Sequence, residues 1–151
     1  MKIALAADHA GFPLKEHLAR FLTAQGHEVL DLGVDSSETR TDYPDTAEVA
    51  GHAVLEGRAE RAIVVCGSGV GVCIAANKLP GIYAGLCHDT YSAHQGVEHD
   101  RMNVLCLGAK IVGEAVAEEI VQSFLNARPM SEERYLRRFQ KVQAMERRIQ
   151  G

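Results

Sequence analysis

Short apolar runs alternate with amphipathic stretches along the whole chain. The runs are five or six residues long and rich in branched residues, which is typical of buried strands. They lie at residues 2–7, 28–32, 62–66, 82–87 and 103–107. Between them apolar residues recur every three or four positions, and this spacing predicts helices. These helices are expected at residues 14–25, 44–56, 70–77, 90–98 and 114–126.

Strands that alternate with helices in this way favour right-handed βαβ units and a parallel sheet covered on both faces. Gly26 follows the first predicted helix as a stop signal, and Pro44 stands where a first helical turn tolerates proline. The pattern therefore predicts the α/β class: a five-stranded, doubly wound, three-layer α/β/α sandwich of the Rossmann-like type.

A sixth helix is predicted at about residues 131–148, with Ser131 as its N-cap. Its apolar positions form a stripe at helical spacing: Leu136, Phe139, Val142, Met145 and Ile149. Arg134 and Arg138 are four residues apart and project together from another face. We expect this helix to pack on a neighbouring subunit, with packing on its own sheet as the alternative.

Composition and charge narrow the possible functions. A chain of 151 residues with 46% hydrophobic content suits one domain, residues 1–151. The net charge of −4 disfavours a nucleic-acid partner, since phosphate-backbone binding needs a basic surface. No signal peptide or membrane-length apolar run is present, so a cytoplasmic protein without membrane contact is expected. The four cysteines have no metal-ligand or disulfide spacing, and no metal is predicted.

Polar residues follow several predicted strands at the point where each strand ends. Ligands of open parallel sheets bind at the carboxyl ends of the strands. Asp8 and His9 follow the first strand, Cys66 ends the third, His88 and Asp89 follow the fourth, and Lys110 comes shortly after the fifth. We expect these groups to share one rim of the sheet, although Asp8 could also serve only to cap a helix.

Cys66 is followed directly by the glycine-rich loop Gly67-Ser68-Gly69-Val70-Gly71. The loop lacks the last glycine of a dinucleotide fingerprint, and no P-loop occurs in the chain. Its N–H groups, together with the next helix N-terminus, could hold an oxyanion. Such a setting favours a thiolate, so Cys66 is interpreted as a base or nucleophile, with an inert core thiol as the alternative.

His99 lies in a polar bridge that leads into the fifth predicted strand. A histidine near the rim could shuttle a proton, because it titrates close to neutrality. The alternative is a loop histidine that faces solvent.

Five motifs in order along the chain give a specific likeness. They are Ala-Ala-Asp-His-Ala-Gly-Phe at 6–12, Thr-Asp-Tyr-Pro at 41–44, Cys-Gly-Ser-Gly-Val-Gly at 66–71, Ala-Ala-Asn-Lys at 75–78 and Glu-His-Asp-Arg-Met-Asn-Val-Leu at 98–105. Together they resemble the type B ribose-5-phosphate isomerase family, which also includes galactose-6-phosphate isomerase subunits. The resemblance implies aldose–ketose interconversion of a sugar phosphate through a cis-enediol, without metal or cofactor.

The resemblance also implies a role for each motif residue. Cys66 would be the base, Ser68 would orient the reacting oxygens, His99 would open the sugar ring, and Asp8 would be its partner on the hydroxyls. Substrate contacts are implied for His9, Tyr43, Gly67, Gly69, Val70, Gly71, Asp100, Lys110, Arg134 and Arg138, with phosphate binding by His9 and the two arginines. The site would be shared between subunits of a homodimer or tetramer.

Two positions depart from the family pattern. Asp100 stands where Asn is usual, and Lys110 stands where Arg is common; the resemblance attributes both to the neighbouring subunit's half of the site. A carboxylate cannot donate as an amide does, and Lys lacks the bidentate geometry of Arg. A tetrose or hexose phosphate is therefore an alternative substrate. A non-catalytic sugar-phosphate-binding subunit or sensor is an alternative function.

Overall fold

The computed structural model describes residues 1–151 as one alternation of strands and helices. The elements are β1 Lys2–Ala7, α1 Phe12–Ala24, β2 Glu28–Gly33, α2 Tyr43–Leu55, β3 Arg61–Cys66, α3 Val70–Ala76, β4 Ala84–Leu86, α4 Thr90–Asp100, β5 Val104–Gly108, α5 Glu114–Asn126 and α6 Glu133–Gln150. The predicted α/β class is confirmed.

All five strands are parallel, in the order β2-β1-β3-β5-β4. The central strand β3 is buried at every position, which explains its unbroken apolar run. The chain leaves β1 toward one side of the sheet and β3 toward the other. The carboxyl ends of these two neighbours therefore border a crevice of the kind that binds ligands.

The two faces of the sheet are packed differently. One face carries α1, α4 and α5 and is filled by large side chains such as Leu18, Ile120 and Phe124. The other face carries α2 and α3, and α2 contributes Ala47, Ala50 and Ala53. Small residues at a spacing of three let α2 approach the sheet closely. The side chains between α2 and the sheet are therefore smaller than those on the other face, but they are equally buried.

Several predicted boundaries are wrong, among them those of β4, α4 and α6. Strand β4 has three residues rather than six, since the backbone of Tyr83 is engaged with Asn103 instead. Helix α4 continues through His99 to Asp100, because it is closed beyond that point by Arg101 at φ 55. Helix α6 begins at Glu133 with Glu132 at its N-cap, so Ser131 lies outside the helix and does not cap it.

Helix α6 contacts its own subunit along one face. Phe139 packs edge-to-face on Tyr83 with ring centroids 4.9 Å apart. The Glu146 carboxylate accepts hydrogen bonds from the Gly81 N–H at 2.9 Å and the Tyr83 hydroxyl at 3.0 Å. The later part of the predicted stripe is exposed, with Val142 at 48%, Met145 at 55% and Ile149 at 86%. Packing of α6 on a neighbouring subunit stays a prediction.

No helix combines the length and the apolar character that crossing a membrane requires.

A buried lysine ties α1 to the end of β2. The Lys15 ammonium donates to Asp31 Oδ1 at 2.7 Å, to the Leu32 carbonyl at 3.2 Å and to the Val34 carbonyl at 2.6 Å. Its side chain is only 3% exposed, so all three ammonium hydrogens are satisfied within the chain. Lys15 thereby fixes the start of the segment that leads to Tyr43.

Replacement of Lys15 by Met should destabilise the fold by about 1–3 kcal/mol, because two buried carbonyls lose their donor. Lys2 also pairs with a carboxylate of β2, Glu28 at 3.5 Å, but both side chains are exposed. The matched control Lys2→Met should therefore change the free energy of unfolding by less than about 0.5 kcal/mol. Urea denaturation measures the free energy of unfolding of both variants, and equal effects would contradict the role given to the Lys15 hydrogen bonds.

Candidate active site

Asp8 closes the turn between β1 and α1 at the carboxyl edge of the sheet. Its Oδ1 accepts a hydrogen bond from the Gly11 N–H at 2.9 Å, and the residue is 7% exposed. Gly11 must be glycine, since a Cβ there would lie 2.3 Å from the Val65 carbonyl oxygen. Asp8 Oδ2 makes no hydrogen bond within the chain. The carboxylate thus fixes the turn with one oxygen and keeps the other for a ligand.

His9 is held from the segment that precedes α2. Its Nδ1 accepts from the Thr41 N–H at 3.3 Å, which places the proton of the neutral ring on Nε2. The neighbouring Tyr43 is the first residue of α2, and its ring lies over Gly71, where a Cβ would come within 2.8 Å of the ring. The Thr-Asp-Tyr-Pro motif therefore joins β1 to the glycine loop.

Cys66 ends β3 at the same edge and is 5% exposed. Its Sγ accepts a hydrogen bond from the Gly69 N–H at 3.1 Å. This contact requires the loop to turn back on itself, and Gly69 does so at φ 79, a conformation that side chains disfavour. The sulfur is thus held next to the loop and receives a backbone donor.

The loop amides divide into two groups. Gly69 N–H is used by Cys66, and Val70 N–H donates to Ser68 Oγ at 3.2 Å. The N–H groups of Gly67, Ser68 and Gly71 make no hydrogen bond within the chain. Three of the five predicted amides are therefore free to hold an oxyanion, and the Ser68 side chain is exposed beside them.

The ends of β4 and β5 complete this rim. His88 Nε2 accepts from the Gly108 N–H at 3.0 Å, so it supports the backbone of β5. Asp89 caps α4 by accepting from the Ser92 N–H at 2.6 Å, a bond that lowers the pKa of its carboxyl. The Lys110 side chain lies beside Gly67, since a Cβ at Gly67 would be 3.8 Å from both Cδ and Cε of Lys110. Lys110 thus belongs to the Cys66 half of the site, which corrects its expected place with the neighbouring subunit's groups.

His99 and Asp100 lie at the opposite edge of the sheet. Helix α4 starts at the carboxyl end of β4 and ends just before β5 begins, so its last residues lie at the amino edge. The strand length of β5, about 13 Å, separates the two edges. His99 is therefore neither in a loop nor near the Cys66 rim of its own chain. Its expected place in a site shared with a neighbouring subunit stays a prediction.

The His99 side chain is held by two neighbours. Its Nδ1 lies 2.8 Å from Gln95 Nε2, one helical turn earlier on α4. Its ring stacks on that of Tyr135 in α6, with centroids 4.0 Å apart and an interplanar angle of 13°. Spacing of i and i+4 could have indicated Gln95. No sequence signal pairs His99 with Tyr135, because the contact joins two separate helices.

The two arginines of α6 flank in sequence Tyr135, the residue on which His99 stacks. Arg134 pairs with Glu132 at 2.8 Å and donates to the Tyr135 hydroxyl at 2.8 Å. Arg138 is exposed, one helical turn further on, and forms no ion pair in the chain. His99, Asp100 and both arginines thus form a second group of polar side chains, separate from the Cys66 rim.

The other cysteines lie inside or beside the sheet. Burial raises the pKa of the Cys87 thiol to about 11. A hydrogen bond with Cys73, together with burial, raises the pKa of Cys106. The same bond lowers the pKa of Cys73, which is half-buried on α3, to about 7. No group of three His, Cys, Asp or Glu side chains is placed to hold a metal ion.

Comparison with known proteins gives consistent matches over most of the chain. A family model described as ribose/galactose isomerase matches residues 3–142. Ribose-5-phosphate isomerase B of Escherichia coli is 42% identical over 97% of each chain, and D-erythrulose-4-phosphate isomerase of Pectobacterium atrosepticum is 39% identical over 84% of each. The structure of Clostridium thermocellum ribose-5-phosphate isomerase B has a TM-score of 0.94 at 40% identity over 99% of each chain. The chain therefore belongs to the ribose/galactose isomerase family.

Proposed function

We propose that the protein interconverts ribose 5-phosphate and ribulose 5-phosphate through a cis-enediol, with Cys66 as the base. The observation that carries the proposal is the position of Cys66 Sγ at the sheet edge, 3.1 Å from the Gly69 N–H and beside three unused loop amides. Relatives at about 40% identity include a ribose-5-phosphate isomerase over nearly the full length. This is an intramolecular oxidation–reduction of a sugar phosphate.

The chemistry needs one proton moved between adjacent carbons. The Cys66 thiolate takes the proton from C2 of the open-chain aldose, and the electron pair of the C–H bond forms the C1–C2 double bond of the enediolate. The thiol then returns the proton to C1, while a proton passes between the two oxygens to give the ketose. The N–H groups of Gly67, Ser68 and Gly71 have no partner within the chain, so they are available to stabilise the charge that develops on these oxygens.

A complete site requires two copies of the chain. Ring opening and enolisation act on neighbouring sugar atoms, but His99 and Cys66 of one chain lie at opposite edges of the sheet. Cyclic two-fold symmetry would bring the His99 edge of one copy to the Cys66 edge of the other and form two equal sites. The exposed α6 residues Val142, Met145 and Ile149 are available for such a contact.

The phosphate would be held where the two groups meet. His9 presents Nε2 from the Cys66 half, and Lys110 provides a charge without an ion-pair partner beside Gly67. Arg134 and Arg138 of the second copy would close around the anion, since guanidinium groups bind phosphate in a bidentate way. These cations are drawn from both halves, so phosphate binding itself would favour assembly.

A tetrose phosphate is the second candidate substrate. The Pectobacterium relative that acts on erythrulose 4-phosphate is nearly as similar as the Escherichia coli relative. Asp100 is exposed next to His99, where a carboxylate can only accept hydrogen bonds from sugar hydroxyls. The ratio of kcat/KM values on four-, five- and six-carbon sugar phosphates decides between the substrates. A protein that binds all of them without turnover would be a sensor instead.

Replacement of Cys66 by Ala should lower kcat on ribose 5-phosphate by at least about 1,000-fold and change substrate affinity little, because the base acts on the barrier. Cys73→Ala is the matched control, since this thiol is on the next helix and outside the rim. Steady-state kinetics and ligand titration measure both effects. A Cys66 variant that keeps near-normal kcat would refute the assignment.

Replacement of Arg138 by Ala should raise KM for the phosphorylated sugar by roughly 10- to 100-fold, the effect of losing a charged hydrogen bond. Arg137→Ala is the control, because Arg137 is bound to Glu133 on its own helix. The same assay on unphosphorylated ribose should show no difference between Arg138→Ala and the unmodified protein. Equal losses on both sugars would exclude a phosphate contact.

Mixing the inactive variants Cys66→Ala and His99→Ala should restore activity. Random reassociation puts half of the chains into mixed dimers, and each mixed dimer has one site with both residues intact. About one quarter of the unmodified activity is therefore expected. The measurement is isomerase activity after mild denaturation and refolding of the two proteins together. No recovery, with mixed dimers demonstrated by mass, would mean that both residues act from the same chain.

A further inference from the structure

Tyr135 is the one buried residue of α6, at 8% exposure, on a helix that is otherwise mostly open to solvent. One neighbour of its ring is the imidazole of His99, stacked at 4.0 Å. Another is the guanidinium of Arg134, 4.5 Å from the ring centroid. The Arg134 Nη2 also donates to the Tyr135 hydroxyl at 2.8 Å. Tyr135 therefore contacts both an imidazole and an arginine to which the proposed function gives separate tasks.

The contacts of His99 leave it little freedom. Stacking on Tyr135 fixes the plane of the imidazole, and the Gln95 amide at 2.8 Å from Nδ1 fixes its rotation within that plane. The remaining nitrogen, Nε2, is the one available to a ligand. An acid/base group with a single orientation avoids the cost of ordering it when substrate binds.

Arg134 is restrained in a similar way. Its guanidinium is held between the Glu132 carboxylate at 2.8 Å and the Tyr135 hydroxyl, while it also contacts the aromatic face. A long side chain loses much rotamer freedom when it binds a ligand, and contacts made beforehand reduce that loss. The hydroxyl of Tyr135 thus acts on Arg134 alone, whereas its ring contacts both Arg134 and His99.

We propose that Tyr135 is a positioning residue that holds the ring-opening histidine and the phosphate-binding arginine in one rigid unit. The inference rests on the proposed roles of His99 and Arg134. Tyr135 touches no reacting atom; its ring orients His99 and also supports Arg134, and its hydroxyl orients Arg134 alone. The distance between His99 and Arg134, which would bind the two ends of the sugar phosphate, is then set before the substrate binds.

Two variants separate the tasks. Tyr135→Phe keeps the stacked ring and loses the hydroxyl, so KM for ribose 5-phosphate should rise roughly three- to tenfold while kcat is retained. Tyr135→Leu keeps apolar bulk and loses the stacked ring, so kcat should fall as well. Tyr91→Leu is the control. Tyr91 also contacts a histidine, His94, but the contact is edge-to-face and Tyr91 is 67% exposed.

A hydrogen-exchange readout distinguishes positioning from general damage. Exchange of the C1 hydrogen of ribulose 5-phosphate with D₂O needs Cys66 but no ring step, since this open-chain ketose has its terminal oxygen phosphorylated. Tyr135→Leu should therefore lower the rate of net conversion to ribose 5-phosphate by a factor at least about fivefold larger than the factor by which it lowers the rate of C1 exchange. His99→Ala should show the same difference between the two rates. A purely structural role would lower both rates by the same factor and overturn the proposal.

The stack itself is tested without activity. The ring current of Tyr135 should shift the His99 ring protons upfield in the unmodified protein and in Tyr135→Phe, and this shift should vanish in Tyr135→Leu. Persistence of the shift in Tyr135→Leu, or identical kinetics of the Phe and Leu variants, would refute the inference. Unchanged conversion by His99→Ala would instead refute the proposed ring-opening role of His99, and normal kcat in Cys66→Ala would refute the proposed base, so these failures are distinguishable from failure of the inference.

Discussion

Close approach of the glycine loop to the end of β5 is the constraint on which the Cys66 rim depends. A Cβ at Gly108 would lie 2.5 Å from the Ser68 carbonyl oxygen, and one at Gly69 would lie 3.0 Å from the Gly108 nitrogen. Only glycines on both sides allow this contact. The contact brings the Gly69 N–H to the Cys66 sulfur and leaves three other loop amides without a hydrogen-bond partner in the chain.

The direction of the sheet then separates two groups of polar side chains within one chain. Parallel strands place Asp8, Cys66 and Lys110 at one edge, because each follows or ends a strand. A helix that returns to the other edge carries His99 with it, and α6 docks beside that helix through Tyr135. The proposed function therefore needs two copies of the chain to bring these two groups together. On that proposal, activity depends on protein concentration.

Much of this arrangement could be anticipated from the chain. Alternating strands and helices gave the α/β class, and the run that ends in Cys66 indicated the loop at the carboxyl edge. The extent of α4 was underestimated, because its polar last turn carries no apolar periodicity and its end depends on Arg101 in a left-handed conformation. Residue type and the two glutamates that follow favour Ser131 as the cap of α6, but the helix begins at Glu133 with Glu132 as its N-cap.

Some features depend only on residues that are close in sequence, and these can be predicted from the sequence. They include where glycine allows a turn, where an apolar run ends and which polar group follows it. These features specified the sheet, Cys66 with its loop amides, and the paired arginines of the last helix. Contacts between distant segments depend instead on how helices pack, which no local spacing encodes. The tertiary structure placed His99 at the far edge, because α4 continues to the start of β5, and it set Lys110 beside Gly67. It also brought Tyr135 against His99, which is distant in sequence, as well as against its chain neighbour Arg134.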